Sequence, residues 1–160
     1  MDDVVTLIAA YADEDRRLLE LVDRFPPSTR EVRGSERRLS LKQTLGHLAF
    51  WDDYAVRFYD SRCHRGNPQP MEPGEFEDRN RQVLDLLSSD PFADVLASYR
   101  SATRLLQSFL REHWQDLDES SRENFKIPLK HRRHHRRRLQ ELLAELGIGE
   151  QERTLEERAG

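Results

Sequence analysis

The chain has a single cysteine, Cys63, so no intrachain disulfide can form and a reducing cytoplasm is the expected compartment. No stretch approaches the roughly 18 consecutive apolar residues that a membrane helix needs. The opening stretch MDDVVTLIAAYADED lacks a basic segment, and its apolar run is too short for a signal peptide. Strand-like alternation is nearly absent, there is no internal repeat, and no linker points to a second domain. The net charge of −4 argues against nucleic-acid binding by bulk charge. What remains is a chain of 160 residues, 36% hydrophobic and 35% charged, the length of one domain. Such a chain still buries a core if its helices are amphipathic.

The helical period is what the sequence does have. Val4, Leu7, Ile8, Tyr11, Leu18, Val22 and Phe25 share one side of a helix expected over 2–25, which Pro26 and Pro27 stop. After a polar loop, Ser40 is the expected N-cap of a second helix over 41–62. The segment 63–74 holds three prolines and two glycines and reads as a loop. A shorter helix follows over 75–87, with Phe76, Val83, Leu84 and Leu87 on its apolar side. Asp90 and Pro91 read as N-cap and first helical residue of the next helix, which runs to Trp114 with Val95, Tyr99, Ala102, Leu106, Phe109 and Leu110 inward. A polar connection over 115–128 precedes a last helix over 129–146, closed by Gly147. The expected architecture is all-α, a four-helix bundle over 1–147 with a short extra helix before the third long one, and a charged tail over 148–160.

The last helix carries the sharpest chemical signal. In LKHRRHHRRRLQELLAEL, placing His131 at 0° puts His135 near ~40°, Leu142 near ~20° and Leu139 near ~80°. Arg132, Arg133, Arg136 and Arg137 spread over roughly 100–240°, the side expected to face water. Two inward imidazoles one turn apart are a ready pair of metal ligands. His47 is the third candidate, at the edge of the apolar arc of the second helix beside Trp51, Tyr54 and Phe58. Three imidazoles from two helices leave open positions on a divalent metal, as catalytic sites do. His134 is the reserve ligand. The histidines must be neutral to ligate, so affinity is expected to fall as pH drops through roughly 6 to 7.

These segments resemble a known family. SLKQTLGHLAFWDDY is similar to the second-helix signature of the DinB/YfiT-like superfamily, and HRRHHRRRL resembles its final-helix His-x-x-x-His, with His131 and His135 at the two positions. Arg137, Arg138 and Leu139 stand where glycine, glutamine and isoleucine are common. The segment from Phe76 to Leu110 resembles the middle of chains near the ClbS/DfsB branch. The resemblance covers about residues 3–147 and implies a four-helix bundle, a homodimer, and one divalent metal on His47, His131 and His135. It also implies metal-dependent chemistry on a small molecule, as a hydrolase or as a transferase that uses a low-molecular-weight thiol. Trp51, Tyr54, Asn80 and Tyr99 are the candidate substrate residues in that reading.

Other readings stand beside it. Asp15 and Asp52 face inward and either orient a ligand imidazole or pair with an inward arginine such as Arg138. His113 reads as core, with a site role as its alternative, and Cys63 and His64 read as surface residues. The basic face over 130–138 could meet nucleic acid, but no aromatic residues interleave with its arginines. A bundle that binds metal or a stress-related ligand without turnover is the remaining alternative.

Overall fold

The computed structural model describes residues 2–148, all helix and connecting turns with no strand among them. The helices are α1 (Asp2–Arg24), α2 (Leu41–His64), α3 (Pro73–Leu87), α4 (Phe92–His113), α5 (Glu119–Asn124) and α6 (Lys126–Glu145). The four long ones pack in a closed ring: α1 touches α4 and α6, and α2 touches the same two. The short α3 lies against α2. The expected tail falls almost entirely outside the described residues; Ile148 itself is buried with the core.

The helix boundaries follow local chemistry. Ser40 caps α2: its Oγ accepts from the Gln43 amide at 3.1 Å, and the Gln43 side chain accepts from the Ser40 amide at 3.1 Å. Gly147 ends the last helix with a φ of 72°, and its amide donates to the Ala144 carbonyl. Two boundaries differ from expectation. Pro91, not Asp90, is the cap of α4, because its extended ψ of 145° lets its carbonyl accept from both the Asp94 and Val95 amides. The last helix starts at Lys126, ahead of Pro128, because a proline in the first turn lacks only an amide that would have no helical partner. The connection before it also contains α5, capped by Asp118, whose carboxylate accepts from the Ser121 amide at 2.7 Å.

The core has two apolar halves. One gathers Leu18, Leu45, Leu48, Tyr99, Leu139 and Leu142. The other gathers Tyr11, Val56, Leu106, Phe109, Phe125 and Leu129. Between them lies a polar layer to which each long helix contributes: Asp15 from α1, Asp52 from α2, Thr103 from α4 and Arg132 from α6. Arg132 is 2% exposed, which corrects its expected place on the water-facing side. A helix turns about 100° per residue, so the position after an inward histidine sits at the flank of the stripe; here two carboxylates draw it in.

Candidate metal centre

Arg132 ties α6 to the other three long helices. Its Nε donates to Asp15 Oδ1 at 2.9 Å and its Nη1 to Asp52 Oδ1 at 2.8 Å. Its Nη2 donates to Asp52 Oδ2 and, at 3.1 Å, to Thr103 Oγ1. Tyr99 and Gln107 complete the satisfaction of Asp15, donating at 2.6 and 3.0 Å. Burial raises the Asp52 carboxyl to about 6, against the opposing pull of Arg132. Two N–H donors aimed at its two oxygens mean that this geometry holds the ionised form. Burial disfavours the Arg132 charge, but Asp52 and Asp15 outweigh it and keep the guanidinium above its ordinary value.

With α6 fixed in this way, the flanking residues His131 and His135 face α2. His131 Nε2 lies 2.9 Å from His47 Nε2 and 3.1 Å from His135 Nε2. The three ring centroids are 4.6–4.8 Å apart, in edge-on pairs. All three residues singled out in the sequence therefore meet, and the three could hold a metal ion. His134 is exposed, with its ring 5.1 Å from that of His135, and is not part of the triad.

The triad fits a cation on two grounds. Nitrogens bound to one ion at about 2.0–2.1 Å sit about 3.0–3.4 Å apart, close to the spacings found. The second ground is proton accounting. Both nitrogen–nitrogen contacts use His131 Nε2, which carries one proton or one lone pair, so no tautomer gives each contact its own of both. A cation takes all the lone pairs at once. Burial moves the imidazoles the same way, lowering His47 to about 4. Burial, and secondarily the charge of neighbouring rings, lowers His131 to about 4 and His135 further still. The rings are held neutral, the state that ligation requires.

A cavity of about 560 Å³ opens onto the triad, lined by His47 and His131 together with Trp51, Phe76, Asn80, Ile127, Pro128, Lys130 and His134. Trp51 Nε1 donates to Asn80 Oδ1 at 2.8 Å, which fixes both side chains on the wall. Phe76 and Ile127 are exposed at its rim. Gly46, next to His47, packs against the end of α3: an added Cβ would lie 2.4 Å from the Leu87 methyls. Of the four expected substrate residues, Trp51 and Asn80 are on this wall. Tyr54 is not on it, although its ring lies 5.5 Å from that of Trp51. Tyr99 is elsewhere, fully buried and bonded to Asp15 in the polar layer. A separate cavity of about 580 Å³, lined by Phe50, Val83, Leu86 and Leu105 among others, contains none of the histidines.

The basic face over 130–138 is less free than its sequence suggests. Arg132 is internal, and Arg133 and Arg136 both donate to Glu14, at 3.3 and 2.7 Å. Against the opposing effect of burial, those two arginines lower the Glu14 carboxyl below its usual range. Arg138 pairs with Glu141 and the Glu36 carbonyl rather than with Asp15 or Asp52.

Sequence reasoning missed a second cluster. His64, His113 and Asp116 converge at the far ends of α2 and α4. The i, i+3 spacing of His113 and Asp116 was visible in the sequence, but nothing local connects them to His64.

No protein-family model, no curated protein and no solved structure matches the chain.

Proposed function

We propose that the chain is a metal-dependent enzyme of the DinB/YfiT-like four-helix-bundle type, acting on a small molecule. The observation that carries the reading is the meeting of three Nε2 atoms beside an apolar cavity. His47, His131 and His135 would hold the ion. A divalent ion in that position supplies a lowered pKa to a water or thiol and polarises an electrophile. Trp51, Phe76, Ile127 and Pro128 bind the apolar part of the substrate, and Asn80, pinned by Trp51, offers an amide to orient it. Lys130 at the same wall favours a substrate with negative charge. The reaction is hydrolysis or attack by a low-molecular-weight thiol on an electrophile. A homodimer is part of the same reading.

The test is turnover. Protein loaded with zinc or nickel is offered aromatic electrophiles with water, glutathione, bacillithiol or mycothiol as the nucleophile. Turnover that disappears in His135→Ala, with the helical signal kept, supports the reading. Metal binding without turnover across the whole panel would favour the non-catalytic alternative.

A further inference from the structure

We propose that His64, His113 and Asp116 form a second divalent-metal site, which ties the C-terminal end of α2 to the turn that follows α4. His64 is the last residue of α2, His113 the last of α4, and Asp116 lies in the 3-10 turn after it. One oxygen, Asp116 Oδ2, faces a nitrogen of each ring: His64 Nε2 at 3.2 Å and His113 Nδ1 at 3.1 Å. The two ring centroids are 4.9 Å apart. Two imidazole nitrogens and a carboxylate oxygen, mutually this close, are a ligand set that suits zinc and other late first-row divalent ions, with solvent completing the coordination.

An independent observation comes from behind the ring. The other nitrogen of His64, Nδ1, lies 3.0 Å from Asp60 Oδ1. A carboxylate on the far nitrogen of a ligand imidazole fixes the tautomer and turns a lone pair towards the metal. In the neutral ring, Nδ1 donates to Asp60 and the Nε2 lone pair points straight at the Asp116 carboxylate. That contact requires a positive charge between the two atoms, supplied by a proton or by a cation. The surroundings favour a cation as well. The Glu112 carboxylate, 3.9 Å from His113 Nε2, adds negative charge beside the cluster. The cluster shares no residue with the His47 triad, so each can be lost without the other.

The experiment measures zinc binding to untagged protein at neutral pH by equilibrium dialysis. In His47→Ala/His135→Ala, one equivalent of zinc should remain, and Asp116→Asn or His64→Gln in that background should weaken it at least tenfold. His64, His113 and Asp116 are partly exposed, so these changes spare the core; far-UV circular dichroism checks the fold. A titration of wild-type protein followed by the imidazole nitrogen resonances needs no variant, and zinc should shift those of His64 and His113. No zinc bound by the triad-deleted protein, binding indifferent to Asp116→Asn, or unmoved His64 and His113 resonances would each overturn the proposal. Failure of the triad alone would leave the Asp116-dependent equivalent intact.

Discussion

Arg132 closes on Asp52 with both terminal nitrogens of its guanidinium, in the middle of the protein and one residue after a triad histidine. The pair couples the two helices that carry the histidine triad, because Asp52 is on the same helix as His47 and Arg132 on the same helix as His131 and His135. Removing one partner strands a buried charge. Arg132→Met is therefore expected to cost about 3–5 kcal/mol in urea unfolding. Arg137→Ala, on an exposed position of the same helix, should change stability by less than about 0.5 kcal/mol. Equal effects of the two would contradict the polar layer described here.

Two glycines predict opposite signs. A methyl group on Gly46 would collide with Leu87, so Gly46→Ala should destabilise by about 1–3 kcal/mol and push α3 away from the wall beside His47. Gly74, near the start of α3, has nothing within 4 Å of an added Cβ. Gly74→Ala should leave stability unchanged or raise it by up to about 1 kcal/mol. Thermal unfolding of the two variants reads both signs.

The pH dependence of the metal-free protein follows from its neutral, buried imidazoles. The folded pKa values of His47 and His131 are depressed to about 4 from an ordinary 6.5, so the unfolded chain takes up protons first as pH falls. Stability from this source is complete above pH 6.5 and is lost from there down to about 4. The slope is at most about 1.4 kcal/mol per pH unit for each histidine. Urea midpoints at pH 7, 6 and 5 should fall for the wild type and fall less for His47→Gln/His131→Gln. Metal binding should accordingly persist to about pH 5, below the range of 6 to 7 read from ordinary histidines.

Much of this was legible in the chain. The 3.6-residue period located every long helix, because each buries an apolar face interrupted by only a few polar residues, and the spacing of His131 and His135 reported a shared face. His47 was legible as the edge of such a stripe. Arg132 was not, because a helical wheel gives direction but not partners: an arginine at the flank of a stripe goes inward only if carboxylates from other helices await it, as Asp15 and Asp52 do here. Tyr99 was placed correctly as buried and incorrectly as a cavity residue for the same reason, since its inward face meets Asp15 rather than the triad. His64 and His113 end two helices that run side by side, a fact of packing with no trace in local sequence.

The most direct measurement is the metal content of untagged protein, loaded with zinc and desalted, for the wild type, His47→Ala and His135→Ala. Each variant should retain its helical signal and lose one equivalent of zinc relative to the wild type. Equal zinc in all three proteins would contradict this, because ring nitrogens 2.9 and 3.1 Å apart would then meet without serving as ligands.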